Sequence, residues 1–428
     1  MITKSNKHAP HTARLNIKIL PLIPITVLLV CSSLSRNNLV HSPVNEIYQL
    51  TISALEYSAY TLATLLLLLE RNILPTVIRN WPFWILGSYI FLSISWSIDR
   101  QVAALNLVQY IGAGSSVFLA TQYLASSRSK ISSYYWIAVF ATIIVASLAK
   151  IILIDGIQPG RLRGLNGDPT TLSVDCMFSL WACLATIPRM QTTETRILVG
   201  AIAGLSGILL IGSKSATALI TTVIISTLGA FLYSISRMSH HRRANVILLL
   251  LFMTAIFILT VMVSFESLVS SELITELFGK SPTYSGRLAI WREALSLIDQ
   301  RPVFGWGFDY THSIESQNLL WHNHYHNGYL DMIVRGGIIG LLFIVIMYTH
   351  ALTHVRKFDT ETFRDRLAYL TLVLGILIYS LTETTFSLWE NKVWLVLLFS
   401  LSVLTISNRR QSAHSNSRRK RRRKFREQ

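Results

Sequence analysis

The sequence predicts an all-α fold: a polytopic integral membrane protein with about 12 transmembrane helices and one long extracytoplasmic loop. The 428-residue chain is 51% hydrophobic but only 14% charged, and its mean hydropathy is +0.45. A domain that folds in water usually carries about a quarter charged residues, so this composition argues against a soluble protein. Apolar segments of about 20 residues, the length that a helix needs to cross a bilayer, recur from Ile19 to Ile406.

Turns between the apolar segments give the positions of the individual helices. Arg71-Asn72 before Pro75, Pro159-Gly160, and the charged stretch 356–366 separate successive segments. We predict transmembrane helices at about 17–35, 47–69, 82–97, 103–125, 131–154, 170–188, 197–213, 216–236, 246–264, 332–351, 367–386 and 389–407. These segments leave no room for a separate soluble domain.

The distribution of basic residues predicts the orientation. The formal net charge is +17, and the densest basic run is 418–424 in the C-terminal tail. Roughly two thirds of the Lys and Arg residues fall on the face that holds both termini, which predicts that both termini are cytoplasmic. The tail is interpreted as a topology anchor at the lipid bilayer, and no nucleic-acid partner is expected. The predicted order is a cytoplasmic basic segment 1–16, helices 1–9 over 17–264, a periplasmic loop 265–331, helices 10–12 over 332–407, and a cytoplasmic tail 408–428.

The long loop contains a second type of helix. Leu288, Trp291, Leu295 and Ile298 recur at helical spacing with charged residues between them, which predicts an amphipathic helix at the membrane interface. A proline and two glycines, in the range 302–307, then end this helix.

Arginines on the outer face run against the usual charge bias of membrane proteins and therefore need an explanation. Guanidinium groups bind phosphate oxygens through two parallel hydrogen bonds, so Arg161, Arg163 and Arg287 are candidates for holding a phosphate-bearing lipid head group. The alternative is that they bind structural lipid phosphates, or loop carboxylates such as Asp168.

Three alternating histidines near the end of the loop allow three interpretations. His322, His324 and His326 would form a zinc site if they faced one way, although no carboxylate or thiolate with ligand spacing accompanies them. They would otherwise be hydrogen-bonding loop residues. The third interpretation is a general base, since neutral imidazole is suited to taking a proton from a sugar hydroxyl.

Other polar residues extend this outer cluster or lie inside predicted helices. A tight polar turn, 212–215, contains Lys214. Glu383 lies at the outer end of the last hairpin, where we expect it to line the same cavity. Charges inside the helices, such as Glu56, Lys150 and Asp175, are candidates for an ion path, but we expect them instead to pair with partners or to extend towards the interface.

In their order along the chain, these motifs resemble the O-antigen ligase and polysaccharide polymerase superfamily, which includes exopolysaccharide polymerases. The resemblance covers most of the chain. It is carried by these motifs: Trp96-Ser97-Ile98-Asp99, Arg161-Leu162-Arg163-Gly164 with Asp168-Pro169, Ser213-Lys214-Ser215-Ala216-Thr217, Ser285-Gly286-Arg287 with Trp291, Pro302 with Gly305-Trp306-Gly307, His324-Tyr325-His326-Asn327-Gly328-Tyr329-Leu330, and Gly336-Gly337-Ile338-Ile339-Gly340.

The resemblance implies an activity and assigns roles to residues. It implies a metal-independent glycosyltransferase of the bacterial inner membrane, without a cofactor, that moves a glycan from an undecaprenyl diphosphate carrier to an acceptor sugar hydroxyl. His326 would be the catalytic histidine, and the outer arginines would bind the diphosphate. The remaining motif residues become candidates for supporting roles: His324, Asn327, Tyr329 and Lys214.

Two alternatives stay open at the level of the sequence. The motifs do not separate a ligase, whose acceptor is a lipid A-core, from a polymerase, whose acceptor is a growing glycan. From another class, the alternative is a lipid-linked glycan flippase or other transporter, although neither paired repeats nor interrupted helices are evident in the sequence.

Overall fold

The computed structural model describes residues 20–34, 43–70, 73–126, 130–155, 160–165, 167–187, 190, 192–235, 242, 245, 246, 249, 287–309, 324–355, 358, 360–386, 389 and 391–406. Every regular element in this part of the chain is helical, as the composition predicted. The helices, labelled in chain order, are α1 (Ile23–Cys31), α2 (Pro43–Leu68), α3 (Ile73–Arg79), α4 (Trp81–Ser93), α5 (Arg100–Ser126), α6 (Lys130–Lys150), α7 (Pro169–Thr186), α8 (Thr193–Gly212), α9 (Ala216–Ile235), α10 (Arg287–Gln300), α11 (Gly328–Val355), α12 (Thr360–Tyr379) and α13 (Lys392–Thr405).

Most of the described helices lie within four residues of their predicted ends, but α1 is shorter than the predicted 17–35, and α12 begins and ends seven residues before the predicted 367–386. Six are long and apolar enough to cross a membrane, and they include the segments 47–68, 100–124, 134–153, 193–212, 216–234 and 328–355. The short helix α3 was not predicted. The predicted ninth helix, 246–264, lies almost wholly outside the described residues, as do the segments 1–16 and 408–428. The total of 12 spans therefore stays a prediction.

Helix α13 lies at the centre of the bundle. All its side chains, from Lys392 to Thr405, are buried, and it packs against α5, α11 and α12. These neighbouring helices surround α13, so its apolar side chains contact protein on every side. The outer helices behave differently: α8 exposes Ile197, Leu198 and Ile208, which is the pattern of a surface that contacts lipid acyl chains.

One ion pair lies inside the apolar bundle. Lys392 Nζ lies 2.5 Å from Asp175 Oδ1 of α7 and donates a 2.8 Å hydrogen bond to Ser33 Oγ. Both charged side chains are almost fully buried. The expectation that Asp175 pairs is confirmed, and Lys150 likewise finds a partner, donating to the Gly164 carbonyl.

Glycines in two sequence motifs dock the segment after α10 onto α11. Trp306 and Gly307 donate their backbone N–H groups to the carbonyls of Val334 and Arg335, at 2.8 and 2.9 Å. Helix α11 is kinked at Gly337, whose φ is +61°. A Cβ there would lie 2.1 Å from the Val303 carbonyl oxygen, so only glycine allows the two backbones to approach this closely. This docking fixes the end of α10 against α11.

Candidate active site

The beginnings of four described helices meet around a cavity of about 210 Å³. Its lining residues come from the loop before α7, the first turns of α7, α9 and α10, the segment just before α11, and the segment after α12. They are Arg161, Thr170, Ser215, Ala216, Thr217, Arg287, Ile290, His326 and Glu383. The structure therefore brings together Arg161, Arg287 and His326, which are distant in the sequence.

Arg161 is held against the turn between α8 and α9. Its Nε donates a 2.8 Å hydrogen bond to the Ser213 carbonyl, and the Leu162 N–H donates to the Gly212 carbonyl at 2.9 Å. Lys214, in this turn, adopts a left-handed backbone conformation with φ of +50°. Its side chain is exposed and does not line the cavity, whereas that of Ser215 does.

Arg163, two residues further on, is exposed and lies outside the lining of the cavity. The nearby carboxylate of Asp168 caps α7, accepting hydrogen bonds from the Thr171 N–H and hydroxyl at 2.9 and 3.0 Å. Arg161 is thus the better placed of the two loop arginines to meet a ligand in the cavity.

Arg287 is the first residue of α10, and its side chain reaches the segment after α12. Nη1 donates to the Thr382 carbonyl at 2.5 Å, and Nη2 to Glu383 Oε1 at 2.9 Å. These two contacts fix the orientation of the guanidinium, which carries five N–H donors. The indole of Trp291, one turn along α10, donates to the Tyr325 carbonyl at 2.8 Å. That bond ties α10 to the histidine segment.

His326 occupies a strained backbone position at the start of α11. Its φ is +48°, in the left-handed region that costs a non-glycine residue about 1–3 kcal/mol. Hydrogen bonds made by the next two residues hold His326 in this conformation. Asn327 Oδ1 caps α11 by accepting from the N–H groups of Tyr329 and Leu330, and the Gly328 N–H donates to the carbonyls of Ser380 and Glu383. These bonds fix His326 at the edge of the cavity.

Glu383 lies between the arginine and the histidine. One carboxylate oxygen contacts Arg287, and the other, Oε2, lies 3.6 Å from His326 Nδ1. Burial raises the pKa of this carboxyl, but contacts with the His326 imidazole and the Arg287 guanidinium outweigh burial and hold the pKa below its ordinary value. Glu383 is therefore ionised at neutral pH.

His324 is close to His326 but does not line the cavity. The two ring centroids are 4.2 Å apart. Burial, with a smaller contribution from neighbouring His326, lowers the pKa of His324 to about 4, so this imidazole is neutral at pH 7. His322 lies outside the described residues, so the three-histidine zinc site is untested. Within the described part of the chain, no three His, Cys, Asp or Glu side chains form a group that would hold a metal ion.

The other predicted supporting residues have structural contacts in the described part of the chain. Asn327 caps α11, as described above, and the Tyr329 hydroxyl donates to the Leu377 carbonyl at 2.7 Å. The sequence placed Glu383 near this cavity but gave it no role, because an acidic residue at the end of a hairpin has many possible partners. Thr170 and Ile290 were missed, since neither belongs to a polar motif.

Comparisons with known proteins agree with the resemblance seen in the sequence. A family model described as O-antigen ligase matches residues 201–345, a range that contains Arg287 and His326 but not Arg161 or Glu383. The chain is 24% identical over 236 residues to exopolysaccharide production protein ExoQ of Rhizobium meliloti (strain 1021), covering 51% of this chain and 53% of that protein. It is 25% identical over 270 residues to an O-antigen ligase of Pseudomonas aeruginosa, covering 63% of each chain.

A third relative is a putative polysaccharide ligase of Rickettsia felis, 25% identical over 146 residues, which cover 31% of this chain and 35% of that one. The chain thus spans about half of the first of these relatives and less than two thirds of the second.

Proposed function

We propose that the chain is a member of the O-antigen ligase superfamily, which its similarity to that family model and to the three relatives supports. On this premise we propose that it moves a glycan from an undecaprenyl diphosphate carrier to an acceptor sugar hydroxyl on the periplasmic side of the bacterial inner membrane. The family indicates a glycosyltransferase-type enzyme of ligase or exopolysaccharide polymerase type. The acceptor is either a lipid A-core or another growing glycan, and we propose no metal or cofactor.

The observation that carries this proposal is the composition of the cavity. Two arginines line it, and α7, α9, α10 and α11 all begin at or next to it. The first turn of a helix presents unpaired N–H groups and the positive end of the helix dipole, which favours anions. Together with two guanidinium groups, these helix ends suit a ligand with several negative charges, such as a lipid-linked diphosphate.

We propose that the reaction needs only three actions from the protein. Arg161 and Arg287 neutralise the diphosphate. The diphosphate departs from the anomeric carbon, and its oxygen takes the electron pair of the broken carbon–oxygen bond. The acceptor hydroxyl oxygen forms the new bond to that carbon, and His326 takes the hydroxyl proton. The cavity holds donor and acceptor side by side, which removes much of the entropic cost of bringing them together.

The test uses purified protein in liposomes with lipid-linked glycan donor and acceptor. His326→Asn is the sharper variant, because asparagine tolerates the left-handed backbone and removes the base without adding strain. We expect its transfer rate to fall about 10²–10⁴-fold, while carrier binding is largely kept. Binding is measured with fluorescent undecaprenyl diphosphate.

Arg161→Ala and Arg163→Ala form a matched pair, since both residues are exposed arginines of one loop. We expect Arg161→Ala to lose carrier binding and transfer, and Arg163→Ala to lose much less of either. Equal losses would remove the assignment of the cavity as the diphosphate site. Carrier movement across the bilayer without a new glycosidic bond would instead support the flippase alternative. Normal transfer by His326→Asn would require another base, or none.

A further inference from the structure

We propose that Glu383 is the positioning residue of this site: one carboxylate oxygen orients the Arg287 guanidinium towards the donor, and the other orients the His326 imidazole towards the acceptor. This inference rests on the proposed function. It names the residue that links the arginine on the donor side to the histidine on the acceptor side. The family model does not extend to Glu383, because its match ends at residue 345.

The segment after α12 makes several contacts to the two groups in question. Through Glu383 Oε1 and the Thr382 carbonyl, it binds both terminal nitrogens of Arg287. Through the Glu383 carbonyl, it accepts the Gly328 N–H at 3.1 Å, two residues after His326. Backbone and side chain of one residue therefore fix both the position of the arginine and the start of α11.

The contact with His326 is made through Nδ1. Nδ1 lies 3.6 Å from Oε2, and an ordinary hydrogen bond of about 2.9 Å would need the two atoms to approach by roughly 0.7 Å. An imidazole whose Nδ1–H faces a carboxylate presents Nε2 as the nitrogen that accepts a proton. The carboxylate also stabilises the imidazolium that forms when the acceptor hydroxyl is deprotonated.

The charges around His326 determine how a change at Glu383 would affect it. The groups that face it from the surrounding elements are His324 in its own segment, Glu383 after α12, Arg287 at the start of α10, Arg161 before α7 and Asp331 in α11. His324 is neutral at pH 7, and Glu383 is the only carboxylate among the cavity-lining residues that the structure describes. Replacing it by glutamine keeps the shape and removes the charge nearest to the imidazole.

The experiment compares Glu383→Gln, Glu383→Asp and a control, Asp299→Asn, which alters an exposed acid on α10. We expect Glu383→Gln to lower kcat about 10- to 100-fold, as loss of an orienting partner typically does. The KM for the donor should change much less, because Thr382 still holds Arg287. Glu383→Asp should recover part of the lost rate, and Asp299→Asn should behave as wild type.

The pH dependence separates positioning from a structural role. Without the carboxylate the imidazolium is less stable, so the acid limb of the pH–rate profile of Glu383→Gln moves to lower pH, while Glu383→Asp keeps it in place. A variant that is only less stable would yield less folded enzyme with an unchanged limb. An unchanged limb with kcat within twofold of wild type would overturn the proposal.

A second measurement does not depend on turnover. The tautomer of the His326 imidazole, followed by NMR with nitrogen-labelled histidine and assigned with His326→Asn, should change from the Nδ1–H form to a mixture of forms in Glu383→Gln. If wild type transfers no glycan but the tautomer changes in this way, the proposed function fails while the Glu383 contact stands. If wild type is active and the tautomer does not change, only the role of Glu383 is refuted.

Discussion

The buried ion pair between Lys392 and Asp175 gives the strongest stability prediction. The pair joins the first residue of α13, the central helix, to α7, and Ser33 after α1 completes the contact. The side chains of Lys392 and Asp175 are only 4% and 2% exposed. Removing one partner leaves the other as an uncompensated charge in an apolar interior. We therefore choose Asp175→Asn and Lys392→Met, which keep the approximate volume of each side chain.

The expected cost follows from this geometry. Breaking a buried ion pair by removing one partner typically costs about 3–5 kcal/mol, because the remaining charge keeps its desolvation penalty. Replacing both partners removes both charges, so the double variant should lose less than the sum of the two single variants by about 2 kcal/mol or more. At about 2–4 °C per kcal/mol, each single variant should lower Tm by roughly 6–20 °C.

The assay is thermal unfolding of the purified protein in detergent, followed by loss of the monodisperse peak in size-exclusion chromatography. Glu194→Gln is the control, since Glu194 is exposed at the start of α8 and its Tm should stay close to wild type. Single variants as stable as this control, or a double variant whose loss equals the sum of the single losses, would refute the reasoning.

Two further predictions concern a motif glycine and a histidine. Gly307→Ala should be strongly destabilising, because φ is +113° and the new Cβ would lie 2.2 Å from the Ser97 hydroxyl. Gly207→Ala on α8 should be neutral or stabilising, because its new Cβ meets nothing within 4 Å. The Tm values of the two variants test this prediction, and equal values would contradict it. His324 has a pKa near 4 when folded and 6.5 in its ordinary state, so the unfolded chain takes up the proton first. Stability should fall as pH drops from about 6.5 to 4, and His324→Gln should reduce that fall in pH-dependent Tm measurements; an unchanged pH dependence would mean that other groups cause it.

The sequence alone determined the helical class and the approximate positions of most described helices, because both depend on local hydropathy. A segment such as 100–126 is apolar over its own length whatever packs against it, and the helix there has the predicted position within a few residues. The amphipathic spacing of 288–298 likewise predicted α10. The motifs also identified Arg161, Arg287 and His326 as candidates before their positions were known.

Only the tertiary structure decided which of those side chains meet. Arg161 and Arg163 have the same chemistry two residues apart, and a loop has no period from which the direction of a side chain follows. Docking of Leu162 onto Gly212 places Arg161 in the lining of the cavity and leaves Arg163 outside it. Glu383 came to lie between Arg287 and His326 through contacts across three separate elements. Such contacts depend on long-range packing, which no local pattern in a single sequence specifies.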